Sequence, residues 1–432
     1  MTSRLAHATA AALALLVLAG CSGDPTGASS PTTSPTETGT SSASPDARTT
    51  ACAQAVSGLV DATQAYVDSY GPAVSGRTGG ASTDHLSGGL DRAKKRIESL
   101  QCDPATLRDQ LQEGLDRVRA RGALAEAVRA QLVAAMTGTV APAAATRRLK
   151  AGEDLAAVLP ELAPGSTVVL PAGTVRLSKT VVLLQGVTLR GQGRGRTTLS
   201  TAAADTGVLV LTDGKVELDS LTVRHTGSKP ASVVVAGPTS SLVLTDAAVT
   251  GARAGSDPAT SRGGTGVLMS ARSGEVADDR GTTLEVTRTR VAGNQAAGIL
   301  LSGGHRASIR RSVLADNGQC GVCFLDTSSG AVRDSTLSGN GAGVAVVDRA
   351  RPLISGDTVT GGEVGVQAGN TSAPVVRDVT IRSVKRAAMI FSARARGRVG
   401  RVTCVDTPAG IVVAKHALPY LGTNRCAVQP GG

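Results

Sequence analysis

The chain has no tryptophan, two phenylalanines and three tyrosines among 432 residues, which excludes a core built on large aromatic rings. Its interior must be filled by Val, Leu, Ile and Ala. The same scarcity removes the flat aromatic platforms on which sugar rings commonly stack. Beyond the N-terminal segment the histidines are His85, His225, His305 and His416, too scattered to give a metal-ligand spacing. With only four methionines beside them, a soft-metal role such as copper handling is disfavoured. Nothing after the N-terminal segment is apolar for long enough to cross a bilayer. Acidic residues are the minority sign, 34 against 45 basic, for a formal charge of +11 that favours anionic partners without choosing among them.

What the chain does have is a repeat. Three segments align between Leu284 and Val347, and in them Asn294, Asn317 and Asn340 recur at steps of 23 residues. A fixed period of this size means a solenoid, in which each unit buries its apolar face only against the next. The unit holds three short alternating apolar runs broken by Gly, Asn, Asp and Ser, and no stretch periodic enough for a helix. That pattern predicts one coil of a parallel β-helix, with equivalent residues stacked about 4.8 Å apart. The three asparagines then form a ladder at one turn, each expected to take a left-handed backbone conformation.

These coils resemble the right-handed parallel β-helix proteins of the pectate-lyase-like superfamily, where such a turn carries an asparagine ladder. The resemblance runs from about Leu155 to the C-terminus and includes Pro164 to Val175 and Gly186 to Gly193, which are similar to the first coils of many of its members. Gly191-Gln192-Gly193-Arg194-Gly195 opens no helix, so it reads as tight turns and not as a phosphate loop. The expected fold is therefore mainly β: a right-handed parallel β-helix solenoid over residues 151–428, of roughly ten coils by length over period. A short amphipathic helix from Glu153 to Leu162 is expected to close its first end.

The N-terminus reads differently. Arg4 precedes an Ala/Leu-rich run from Ala8 to Ala19, too short to span a membrane, and then comes Leu18-Ala19-Gly20-Cys21. This is a signal peptide, and its last four residues resemble a bacterial lipobox, which implies acylation of Cys21 and a lipoprotein anchored on the outer face of the cytoplasmic membrane. Residues 22–50, rich in Ser, Thr and Pro, can bury no core and read as a disordered tether.

Residues 51–136 read as a small α-helical bundle. Apolar residues recur at helical spacing in Ala55, Leu59, Val60, Ala62 and Val67, in Leu86, Leu90, Ala93, Ile97 and Leu100, and in Leu107, Leu111, Leu115 and Val118 onward. Gly71 to Thr83 reads as the first loop, Asp103-Pro104 as a helix start, and Gly122 as a break. Residues 137–150 read as a second linker. Export permits disulfides. Without Cys21 six cysteines remain, and the expected pairs are Cys52 with Cys102, Cys320 with Cys323, and Cys404 with Cys426. Cys320-Gly-Val-Cys323 lies on a strand with no second pair at zinc spacing, which favours a local bridge over a metal or redox centre.

Chemistry is harder to place. Aligning coils on Gly298, Gly321, Gly343 and Gly365 stacks Asp326, Asp348 and Asn370 just after the third strand. Aligning back from the ladder stacks Arg310, Arg333, Ser355 and Arg377, with Arg311, Asp334, Gly356 and Asp378 beside them, and the two sets are expected to flank one turn region. In the superfamily, lyases and hydrolases act on the face formed by the third strand and its adjoining loops. The resemblance thus makes Asp326, Asp348, Arg333, Asp334, Arg377 and Asp378 the catalytic candidates, with calcium as cofactor only for a lyase. Two long loops, Gly251 to Gly264 with Arg253, Asp257 and Arg262, and Ser273 to Gly281 with Glu275, Asp278, Asp279 and Arg280, are the other candidates. Asp278-Asp279 is the adjacent acidic pair an inverting hydrolase could use. None of the motifs that mark pectate lyases or polygalacturonases is present, and no metal is otherwise expected.

The basic stretch from Arg377 to Arg401 suits an anionic envelope polymer or lipid headgroups better than nucleic acid, because aromatics do not interleave with it. The reading carried forward is non-catalytic binding of an anionic cell-envelope or extracellular polysaccharide. A polysaccharide lyase or glycoside hydrolase is the alternative, and an envelope scaffold docked through the helical bundle is the third reading.

Overall fold

A computed structural model describes residues 45–74, 92–93, 95–97, 99–119, 122–137, 139–210, 214–237, 240–256, 263–269 and 282–431. The segment expected to be a signal peptide, Cys21 and most of the stretch expected to be a tether lie outside them. The chain divides into two compact units, Met1–Pro142 and Ala143–Gly432.

In the first unit, helix α1 spans Pro45–Val74, α2 spans Pro104–Asp116 and α3 spans Gly122–Thr137. Helix α1 thus begins at Pro45, inside residues 22–50, whose composition reads as a tether. Pro45 can open a helix because a first-turn N–H has no partner to lose, and Asp46 sits where the helix dipole favours an acid. At its other end α1 runs on through residues 71–74, which read as loop. The start of α2 is as expected: Asp103 caps it, accepting the Thr106 N–H at 2.8 Å. A small core of Ala55, Val56, Leu59, Ile97 and Leu111 holds the unit, and a Cys52–Cys102 disulfide joins α1 to the residue before the α2 cap. Gln64 pins α1 to the chain after α2, donating to the Arg119 carbonyl and accepting its N–H.

The second unit is a parallel β-helix. Its strands form three sheets, A of twelve strands, B of ten and C of eleven, and each coil runs through A, then B, then C. The strand-to-strand pairings are parallel between consecutive coils. The first strand of sheet A, Thr146–Arg148, pairs with Thr167–Val169 and falls inside the stretch read as linker. All three of its side chains are exposed, so it has no apolar alternation to betray it. Helix α4, Leu155–Val158, and the turn after it place Leu155, Val158, Leu159 and Leu162 in the same core as the strands.

The interior is aliphatic, as the missing aromatics require. Along sheet A one inward column runs Leu189, Leu218, Leu244, Val286, Ile309, Val332, Ile354, Val376 and Val399, all buried. Each such side chain contributes about 1.5–3 kcal/mol by leaving water. Both phenylalanines, Phe324 and Phe391, lie in this core.

Two columns explain the motifs in the repeat. At the turn from sheet B to sheet C, the Asn317 amide donates to the Asn340 Oδ1 at 3.0 Å, and the Asn294 amide donates to the Asn317 Oδ1 at 2.9 Å. The left-handed backbone falls one residue earlier than expected, at Gly293, Asp316 and Gly339. That residue makes the corner, which frees each asparagine to turn inward and accept the backbone N–H of the one in the preceding coil. The glycine column has a steric cause. A Cβ on Gly321 would stand 2.7 Å from the Gly343 carbonyl oxygen, and one on Gly343 would stand 2.6 Å from that of Gly365.

Candidate functional site

The register separates the two sets of catalytic candidates. Asp326 and Asp348 sit in the turn from sheet C to sheet A, whereas Arg333 and Asp334 lie at and just beyond the far end of the strand Ser329–Arg333. That strand is about 13 Å long, so the two sets do not flank one turn. The error came from aligning each set on a different landmark, which hides the strand between them.

Three of the four acids in these sets, Asp326, Asp348 and Asp378, already have a task. Asp326 and Asp348 adopt left-handed conformations with φ 56° and 58°. Asp326 accepts the Gly303 N–H at 2.8 Å, and Asp348 accepts the Asp326 N–H and the Asn370 amide. Asp378 takes both guanidinium nitrogens of Arg401, at 2.5 and 2.7 Å, and that hydrogen bonding holds its carboxyl below the usual range. Asp246 and Arg288 repeat the arrangement. Among the described residues no three His, Cys, Asp or Glu side chains converge to hold a metal ion. Asp326 and Asp348 therefore do not build a calcium site with Asp334 and Asp378. The pair Asp278-Asp279, together with Asp257, Arg262, Glu275 and Arg280, lies outside the described residues. Arg253 is described and exposed, beside a bridge to Ala231. His225 is buried and bonded to the Gly251 and Ala203 carbonyls, and His305 to Thr282, so neither faces a site.

The arginines behave differently. Five successive strands of sheet A, Arg306–Arg310, Ser329–Arg333, Arg351–Ser355, Val375–Arg377 and Arg398–Gly400, carry six arginines and no acidic residue. Arg306, Arg310, Arg333, Arg351, Arg377 and Arg398 stand on the outer face, and none pairs with a described carboxylate. The register arranges five of them as two rails, and the sixth, Arg398, continues the column between the rails. Arg310, Arg333 and Arg377 belong to one column with Ser355. Arg306 and Arg351 belong to the other with Ser329. Between the rails, about 13 Å apart along the strand, runs a floor of Ser308, Ala331, Leu353 and Val375.

A groove of about 430 Å³ lies in this trough, lined by Arg306, Ser308, Gly330, Ala331, Arg333 and Arg351, and by Glu285, which is in register with Ser308 on the floor. Guanidinium groups at such spacing can hold a row of carboxylates or phosphates by forked, charge-assisted hydrogen bonds. They are poor proton carriers, since they stay protonated at any working pH.

The other faces show how selective this placement is. Apart from Asp205, the strands of sheet C carry no charged residue, and the Cys320–Cys323 disulfide there packs with Ala297 and Ala342. The third bridge, Cys404–Cys426, joins the last coils. The basic run from Arg377 to Arg401 is not one patch: Arg382 lies on sheet B, Lys385 pairs with Glu363 in the next turn, and Arg377 and Arg398 face outward on sheet A. A run of one coil's length wraps around the solenoid, so its charges diverge. Aligning back from the ladder gives Arg310, Arg333 and Arg377, whereas Arg306 and Arg351 show only when the strand starts are aligned.

Asp357 is not singled out by the sequence pattern. It is 1% exposed, and burial pushes its carboxyl up to about 7 against the pull of two backbone N–H donors, those of Ser335 and Ser355.

Residues 265–418 match the family described as right handed beta helix region. Among solved structures, the A-module of the Azotobacter vinelandii mannuronan C-5 epimerase AlgE4 is similar over 62% of this chain and 91% of that one, at 11% identity and a TM-score of 0.32. The Agl-KA catalytic domain is similar over 60% and 63%, at 10% identity and a TM-score of 0.36. The AlgE6 A-module of Azotobacter vinelandii is similar over 60% and 92%, at 14% identity and a TM-score of 0.27. No curated protein matches the chain.

Proposed function

We propose that this right-handed parallel β-helix protein binds a linear anionic polysaccharide or envelope polymer along the outer face of sheet A and does not cleave it. The observation that carries the reading is the set of six arginines on five successive strands, with no acid among them and no described carboxylate paired to them. Guanidinium groups that no described carboxylate holds, set on a hydrogen-bonded sheet, need little ordering when an anionic ligand arrives. Their neighbours on the floor are Ser, Ala, Leu and Val, with Glu285 the one acid lining the groove, and a single carboxylate does not supply the pair that glycoside hydrolysis needs. The proposal includes acylation at Cys21, which would hold the protein at the outer face of the cytoplasmic membrane, where such polymers lie.

The test uses the full chain with Cys21→Ser, incubated with polygalacturonate, alginate and neutral dextran, with and without calcium. Binding is followed by calorimetry and cleavage by new chain ends. The expected result is binding of the two acidic polymers alone, weakening steeply with salt, and no new ends. Calcium-dependent release of unsaturated ends would replace this reading with a lyase, and binding of dextran at equal strength would remove the charge argument.

A further inference from the structure

The last coils carry a second feature on the same sheet. Val375, Leu418 and Tyr420 are large apolar side chains exposed by 37%, 69% and 70%. A stable fold gains nothing from showing such residues to water. Arg398 lies between Val375 and Tyr420 in one column. Leu418 bonds to the Ala395 carbonyl, which places it on the coil beyond the exposed Arg396, and Arg377 ends the strand that holds Val375. Three cations and three exposed apolar groups therefore share a patch three coils deep. Its nearest acid, Asp378, is already bound to Arg401.

We propose that this patch docks on an anionic phospholipid surface. The patch extends over three adjacent coils on one outer face, which a bilayer surface can meet at once. A tyrosine beside a leucine suits the boundary between headgroups and acyl chains, where an aromatic ring has one apolar side and one wet edge. Arginines at the same level meet lipid phosphates, and each basic residue adds roughly five-fold to partitioning onto an anionic membrane. The charge complementarity decides between partners: a protein surface would have to supply acids opposite all three arginines, whereas anionic lipids diffuse to them. Val375, Arg377 and Arg398 also belong to the outer face of sheet A proposed for the polymer, but Leu418 and Tyr420 lie beyond it and line no part of the groove, so they separate the two inferences.

The experiment is co-sedimentation of the full chain carrying Cys21→Ser, so that no acyl chain contributes, with vesicles of phosphatidylcholine alone or mixed with phosphatidylglycerol. The parent should sediment with the mixed vesicles, weakly with the neutral ones, and less as salt rises. Leu418→Ala with Tyr420→Ala should lower partitioning roughly ten-fold while leaving polygalacturonate binding as in the parent. Both side chains are exposed, so the variant should melt with the parent. Equal partitioning onto the two vesicle types, or a double variant that sediments like the parent, overturns the proposal. Loss of polymer binding through Arg333→Glu with vesicle binding intact supports a membrane patch separate from the groove, and loss of both together overturns it.

Discussion

The carboxylate of Asp357 accepts the backbone N–H of Ser335, one coil away, at 2.8 Å. In the coils before it that place belongs to a hydroxyl: Ser335 accepts from the Ser312 N–H, and Ser312 from the Thr289 N–H. Each serine hydroxyl also donates to the carbonyl two residues back. Asp357 instead accepts a second N–H, from Ser355. A column built for a neutral group thus holds an acid, at the foot of the rail that carries Arg333.

This substitution makes stability depend on pH. Burial raises the Asp357 carboxyl to about 7 from its ordinary 3.8, so the folded chain holds that proton more tightly than the unfolded one. The stability it confers is complete below pH 3.8 and is lost as pH rises through 7. The upper bound is about 4 kcal/mol across that window. Asp357→Ser, which restores the residue of the neighbouring coils, should flatten this part of the profile. Denaturation midpoints from pH 5 to 8 read it; parallel profiles for the two proteins would show that the carboxyl titrates normally.

The asparagine ladder should fail unequally. Asn317 accepts the Asn294 amide and backbone N–H and donates to the Asn340 Oδ1 and the Val291 carbonyl, all of them buried. Asn317→Ala leaves several of these without partners, a loss of about 2–4 kcal/mol. Asn294 ends the described ladder, and on its far side accepts only the Ala252 N–H. Asn294→Ala should therefore cost less, and urea unfolding of the two variants gives the order.

Glycine placement predicts a contrast of the same kind. Gly343→Ala drives a methyl against the Gly365 carbonyl and a Val359 methyl, while a methyl on Gly400 meets nothing within 4 Å. The first should lose about 1–3 kcal/mol and the second should stay within about 0.5 kcal/mol of the parent. Equal melting shifts would mean that the coils relax apart at Gly343.

The solenoid was legible because its signals are strictly periodic. Asn294, Asn317 and Asn340 give the coil length, and the glycines give the start of each sheet C strand, since both are forced by contacts between adjacent coils. Outward residues obey no such rule. Arg306 and Arg351 are one rail only because Ser329 lies between them in register, and coils of 22 and 23 residues shift that register along the chain. Asp357 was invisible for another reason: an aspartate in a turn is ordinary in sequence, and only the column of Thr289, Ser312 and Ser335 shows that it has replaced a hydroxyl. The strand Thr146–Arg148 joins the sheet by backbone pairing alone, so its side chains record nothing of it.

The arginine rails give the most direct prediction about function. Arg333 and Arg351 line opposite sides of the groove and neither is held by a carboxylate among the described residues. A hydrogen bond to a charged group contributes about 1.5–3 kcal/mol, so removing one such contact should weaken an acidic polymer at least roughly ten-fold. Arg333→Glu combined with Arg351→Glu should go further, since each reversal adds repulsion, and should also flatten the dependence of affinity on salt. Arg382→Glu is the control: it makes half that charge change on sheet B, away from the groove. If affinity followed net charge alone, the control would lose half as much as the double variant on a logarithmic scale; if the rails bind the polymer, it should lose far less than half. Titration of polygalacturonate at two salt concentrations separates the cases, because only a local contact makes the position of the charge matter more than its number.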